Sequence, residues 1–229
     1  MTTLIACSHG TADRAGRSAV QSLIDDVRRL LPDVRVVHSV VDVEHPQIGD
    51  VLAAEALRDN VIVVPLLLSV GYHTAVDISV AVATHANARQ TPPLGVHPLV
   101  TDVLVDRLAA AVPQGWRPGD HVVLAAAGSS NPDAMSDVET AAARLRTRIP
   151  VPVSVGYAST STPRIGDAVC AARAVGAVRV IAASHVLAPG FFAGLVGRAG
   201  ADVVTAPLAP DARIAAVVAE RFRAATIRS

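Results

Sequence analysis

Lysine is missing altogether, and all 20 basic residues are arginine. A Schiff-base lysine and the phosphate-gripping lysine of a P-loop are therefore excluded. Cysteine is almost as scarce. Cys7 and Cys170 stand alone, without C-x-x-C spacing, so no disulfide framework is available and a reducing, cytoplasmic setting is implied. Aromatic residues make up 3%, which leaves Ala and Val to supply most of the apolar volume. Neither sign of charge is in excess: 20 Arg face 20 Asp and Glu, and the pI is near 7.1. That balance argues against a dedicated nucleic-acid surface or a polybasic membrane patch. No apolar run approaches the roughly 20 residues of a membrane span. The opening Met1-Thr2-Thr3-Leu4-Ile5-Ala6-Cys7 lacks the basic start of a signal peptide and reads as a strand. What is abundant is hydrophobic: 51% of 229 residues, with a mean hydropathy of +0.43. This suffices for one large domain or two of roughly 110 residues.

Short Val/Ile/Leu runs alternate with longer stretches of helical period. Strands are expected at 3–8, 34–41, 61–68 and 94–97, and helices near 16–31, 47–58, 74–89 and 101–112. In the first helix, Val20, Leu23, Ile24, Val27 and Leu31 recur at helical spacing while Asp25, Arg28 and Arg29 face out. Continuous apolar strands between helices indicate a parallel sheet covered on both faces. Two prolines and two glycines in 113–120 continue neither element and mark a linker. Beyond it the alternation resumes, with strands near 121–127, 151–157, 178–184 and 202–205 and helices near 132–148, 163–175, 190–199 and 210–225.

The second half repeats the first. Pro46-Gln47-Ile48-Gly49-Asp50 returns as Pro163-Arg164-Ile165-Gly166-Asp167 at an offset of 117. Gly10-Thr11 returns as Gly128-Ser129 at 118, and Gly71-Tyr72 as Gly190-Phe191 at 119. The expected fold is α/β: two similar lobes, each a parallel β-sheet flanked by helices, related by internal duplication. The lobes are placed at 1–113 and 120–229. Two such lobes facing each other normally enclose a cleft, with ligands at the carboxyl ends of the strands.

The duplication also shows where the lobes differ. Six of eight histidines precede the linker. In the repeat frame His9 becomes Ala127, His73 becomes Phe192 and Asp42 becomes Ser159. A site carried by the first lobe, with the second closing it, follows. His9 ends the first strand, Asp42 the second, and His73 lies just beyond the third, so the three polar groups would converge on one sheet edge. Two imidazoles and a carboxylate suit a borderline divalent metal with open positions, and neutral imidazole also accepts protons near pH 7. Each residue has a plainer alternative: His9 fixing a turn, His73 packing under Tyr72, Asp42 capping a helix. His38 reads as core or interface, His45 as a loop residue and Cys7 as an inert apolar group. The cluster Ser129-Ser130-Asn131-Pro132-Asp133 reads as a helix cap whose N–H groups could also hold a carboxylate.

Ser8-His9-Gly10-Thr11, Val41-Asp42-Val43 before Pro46, and Val64-Pro65-Leu66-Leu67-Leu68 with Gly71-Tyr72-His73 and Asp77-Ile78 together resemble the sirohydrochlorin chelatase family, class II tetrapyrrole chelatases that insert a divalent metal. Gly128-Ser129-Ser130-Asn131-Pro132-Asp133 is similar to the second-half loop of the longer, duplicated members, so the resemblance spans nearly the whole chain. It implies that His9 and His73 serve as metal ligand and proton acceptor, and that Asp42, four residues before Pro46, supplies the acidic group. The family often carries Glu there, one methylene longer. The implied partner is sirohydrochlorin, whose eight carboxylates would meet Arg14, Arg17 and the Ser129-Ser130 loop. Ser8, Gly10, Thr11, Gly71 and Tyr72 would line the same site. The resemblance implies no organic cofactor; the metal, Fe2+, Co2+ or Ni2+, is a substrate, for siroheme or cobalamin biosynthesis.

Three rivals stand against this reading. A histidine phosphatase would want Arg directly before the histidine, where Ser8 stands. A non-catalytic metal or tetrapyrrole carrier could keep the fold without turnover. A chelatase for protoporphyrin would need a more apolar, aromatic-rich cleft. Since one chain already holds both lobes, a monomer is expected, with neither nucleic acid nor membrane as partner.

Overall fold

The computed structural model describes residues 2–69 and 72–227, with the backbone alone described at 72–76. Strand and helix alternate: β1 (Thr2–Ser8), α1 (Arg14–Leu30), β2 (Val36–Val40), α2 (Ile48–Ala56), β3 (Asn60–Pro65), α3 (Tyr72–Ala83), β4 (Ala88–Gln90) and α4 (Pro98–Ala111). The second series is β5 (Asp120–Ala126), α5 (Pro132–Arg146), β6 (Val153–Tyr157), α6 (Ile165–Ala174), β7 (Arg179–His185), α7 (Phe191–Gly197), β8 (Val203–Val204) and α8 (Ala212–Thr226). The strands form two four-stranded parallel sheets, ordered β2-β1-β3-β4 and β6-β5-β7-β8. The duplicated α/β architecture expected from the sequence is the one observed.

Local chemistry accounts for the elements. Asp13 caps α1, its side chain accepting from the Gly16 N–H at 2.9 Å, and Arg28 and Arg29 occupy the last turn, where the helix dipole favours cations. The inward stripe of α1 is Ala19, Val20, Leu23, Ile24 and Val27, all buried. Pro132 and Pro98 open α5 and α4, where a missing N–H costs nothing.

On one face of the first sheet, Ile5, Cys7, Val61 and Val63 pack with Ile48, Val51 and Leu52 of α2. The matching face of the second sheet is built from Val123, Ala125, Val180 and Ala182 with Ile165, Ala168 and Val169 of α6. These pairs recur at offsets of 117 to 119, so the duplication extends from the motifs to the core. The second core uses smaller side chains, with Ala125 for Cys7 and Ala168 for Val51.

One feature departs from the sequence reading. The fourth strand is Ala88–Gln90, paired with β3, and not the expected 94–97. Ala88–Gln90 is too short and polar to show a period, and Leu94 earns its apolar character otherwise: it is buried, and its N–H donates to the Leu67 carbonyl at 2.8 Å. Packing groups the elements into two compact units. One unit comprises Met1–Leu94 with Ala209–Ser229, the other Gly95–Leu208. Within the first, α8 packs on α1 and β3; within the second, α4 packs on α5 and β7. Amphipathic spacing identifies which face of α4 and α8 is apolar, and does not identify the sheet it covers.

Candidate active site

The strand order of the first unit fixes where a ligand belongs. The chain leaves β1 toward β2 on one side and leaves β3 toward β4 on the other, so the connections diverge at the carboxyl ends of β1 and β3. A crevice forms at such a switch point in open parallel sheets. His9 follows β1 directly and is exposed. The segment after β3 contains Gly71, which lies outside the described residues, and Tyr72 and His73, which begin α3 with side chains outside them.

The loops after β1 and β2 are locked together. Val41 N–H donates to the Ser8 carbonyl and Asp42 N–H to that of His9, each at 3.0 Å, carrying the ladder past the ends of the strands. Gly10 sits at φ 94°, and a Cβ there would overlap the Asp42 carbonyl oxygen, so the close approach requires glycine. Val43 has φ 70°, the Glu44 N–H donates to the Asp42 carbonyl at 2.8 Å, and the His45-Pro46 bond is cis. The result places exposed His9 beside exposed Asp42, whose Oδ1 accepts from the Val43 N–H at 2.7 Å.

Glu44 joins the same loops from the side. Its Oε1 accepts from the Thr11 N–H at 2.7 Å, and its Oε2 lies 3.7 Å from Arg17. Sequence reasoning passed over Glu44. The repeat frame sets it against Ser161 at an offset of 117, and only the structure gives that pairing a meaning: the Ser161 Oγ accepts from the Ser129 N–H at 3.1 Å.

The other candidates fall into place around this core. Thr11 is half-buried and offers its N–H to Glu44; Arg14 is exposed at the start of α1. Ser8 turns inward, its Oγ 3.0 Å from His38 Nε2. Burial lowers the His38 pKa, Arg28 adds to the effect and Glu44 opposes it. The Cys7 thiol, buried, is pushed up to about 11, which suits a packing role. His97 caps α4 by accepting from the Leu99 N–H at 3.2 Å, and His85 lies against Thr84 at 2.8 Å.

The second unit keeps the loop and changes the chemistry. Gly128 has φ 89°, a Cβ there would overlap the Ser159 carbonyl, Thr160 has φ 55°, and Thr162-Pro163 is cis. Yet Ala127 and Ser159 stand in the places of His9 and Asp42. Ser129 is held by Ser161, which also donates to its carbonyl at 2.7 Å, and Ser130 is exposed. In place of Tyr72 and His73 stand Phe191, 70% exposed, and Phe192, packed edge-on at 5.4 Å. His121 is bonded to Ser154 at 3.0 Å, and His185 is buried, with its pKa lowered to about 4 by burial. Among the described residues, no three His, Cys, Asp or Glu side chains gather as a metal-holding group.

Two four-stranded parallel sheets in one chain, with matching loops at the carboxyl ends of β1 and β5, define a duplicated α/β protein of the chelatase-like fold. The chain belongs to the CbiX family, whose profile matches residues 3–111 and 121–225, one match for each repeat. The resemblance seen in the motifs thus holds at the level of the family. Among solved structures, SirB from Bacillus subtilis with Fe3+ superposes with a TM-score of 0.79 at 18% identity, covering 97% of this chain and 94% of that one. SirB from B. subtilis subspecies spizizenii in complex with cobalt gives 0.75 at 18% identity over the same shares, 97% and 94%. CbiX, described as the terminal enzyme for biosynthesis of siroheme in denitrifying bacteria, gives 0.70 at 22% identity, covering 97% and 99%. No curated protein matches the chain in sequence. Among the described residues no helix is long and apolar enough to cross a membrane.

Proposed function

We propose that this protein inserts a divalent metal, Fe2+ or Co2+, into sirohydrochlorin, acting in the cytoplasm as a monomer. The observation that carries the reading is the locked pair of loops that sets His9 and Asp42 side by side at the switch point of a CbiX-family chain. SirB structures bearing Fe3+ and cobalt support a metal as the other substrate.

Metal insertion has three physical requirements: the ion must shed water, the ring must present its pyrrole nitrogens, and two N–H protons must leave. His9 and His73 would share metal delivery and proton acceptance, with Asp42 adding negative charge that helps hold the cation. An exposed, incomplete ligand set suits this task, since a closed four-ligand site would retain the ion. Thr11, Arg14 and Arg17 would receive ring carboxylates. Gly10 would let the backbone come close, and Gly71 and Tyr72 would flank His73. The inward-facing Ser8 would act by supporting the loop. Fe2+ as the physiological ion would place the protein in siroheme synthesis, and Co2+ in cobalamin synthesis.

The test is anaerobic metallation of sirohydrochlorin followed by absorbance, with Fe2+, Co2+ and Ni2+ in parallel. The expected result is a rate above the spontaneous one for at least one ion, the relative rates ranking the metals. Rates at background for all three would contradict the reading.

A further inference from the structure

We infer that Glu44 is the positioning residue of the His9 loop, and that what it contributes is a hydrogen-bond acceptor and not a charge; this rests on the reading of His9 as a functional residue. His9 stands on a short connection between β1 and α1. Its backbone is held at one end by the ladder to Asp42 and at the other by the Thr11 N–H on Glu44 Oε1, at 2.7 Å. That length is typical of an N–H donating to a carboxylate. Among the described residues Arg17 is the other side chain paired with Glu44, but it is about half exposed and sits at 3.7 Å, a geometry whose net worth is small. The bond to Thr11 therefore dominates.

The duplicate supplies an internal control. The second unit has the same glycine with positive φ, the same positive φ one residue beyond the second strand's last ladder bond, and the same cis proline. At the position of Glu44 it carries Ser161, which accepts from the Ser129 N–H at 3.1 Å. A neutral hydroxyl thus performs the clamp on an equivalent backbone. Charge is dispensable for the clamp, and an acceptor is not.

The experiment compares Glu44→Ala, Glu44→Gln and Glu44→Ser in the full chain, with Arg35→Ala as a stability control. Arg35 is bonded to Glu55 at 2.8 Å, at the opposite, amino end of β2. Metallation rate is read beside two measures that need no turnover: hydrogen exchange at the Thr11 N–H and the NMR signals of the His9 imidazole. Glu44→Ala should slow metallation by about 10- to 100-fold, the usual range for losing a group that orients a metal-site residue. It should also speed Thr11 exchange and shift or broaden the His9 signals. Glu44→Gln and Glu44→Ser should restore all three, with rates within about threefold of wild type. Arg35→Ala should lower stability without moving the His9 signals. The inference is overturned if Glu44→Ala leaves Thr11 and His9 unchanged, if Gln and Ser are as poor as Ala, or if Arg35→Ala disturbs His9 equally. A wild type that fails to metallate overturns the proposed function instead, while exchange and NMR still decide the role of Glu44.

Discussion

Gly10 and His185 show what single positions contribute. Gly10 lies at φ 94° with no room for a Cβ before the Asp42 carbonyl. Gly10→Ala should cost about 1–3 kcal/mol from backbone strain alone. It should also separate His9 from Asp42 and abolish metallation; a urea midpoint and the absorbance assay read the two effects. The glycine was legible in the sequence because it recurs as Gly128, whereas Glu44 was not, since no spacing rule links a carboxylate to an N–H 33 residues away. His185 is buried, and its Nε2 finds no partner among the described residues. Burial lowers its pKa from 6.5 to about 4, so the folded protein keeps it neutral where the unfolded chain would protonate it. Stability is therefore full above about pH 6.5 and falls toward pH 4, by on the order of 3 kcal/mol. His38 and His121, also shifted downward by burial, push in the same direction. His185→Leu should flatten the slope in urea unfolding between pH 7.5 and 4.5, and an unchanged slope would contradict the assignment.

At the scale of elements, the helices with the clearest apolar stripes were read well and the short edge strand was not. The first helix, expected at 16–31, is observed at Arg14–Leu30, because five buried side chains at helical spacing leave little freedom. β4 escaped detection because three residues cannot display a period of two, and a neighbouring apolar Leu94 mimicked one. The partner of α8 was equally hidden. Its buried stripe of Ile214, Val217, Val218 and Phe222 says that it covers a sheet, while only the structure shows that it covers β3 beside α1. Phe222→Ala should cost about 3–5 kcal/mol. Hydrogen exchange should show protection lost in β1 and β3 ahead of β5 and β7; the reverse order would contradict the packing of α8.

For the whole molecule, duplication is the organising fact, legible in three offsets and repeated in cores, glycines and loop bonds. Its division into units is subtler than a cut at the linker. A fragment 1–113 would lack α8 and would carry α4 with Val100, Val103, Leu104 and Leu108 stripped of their partners. Such a fragment should show weak, non-cooperative thermal unfolding by circular dichroism; a transition as sharp and as high as that of the intact chain would contradict the division. The chemistry follows the same asymmetry, since equivalent loops carry His9 and Asp42 in one unit and Ala127 and Ser159 in the other. The most direct test of the account is the anaerobic metallation rate of His9→Ala set beside His121→Ala, with circular dichroism confirming that both fold. The account predicts a rate at background for His9→Ala and near wild type for His121→Ala. Equal loss from both would contradict a site built on the first unit.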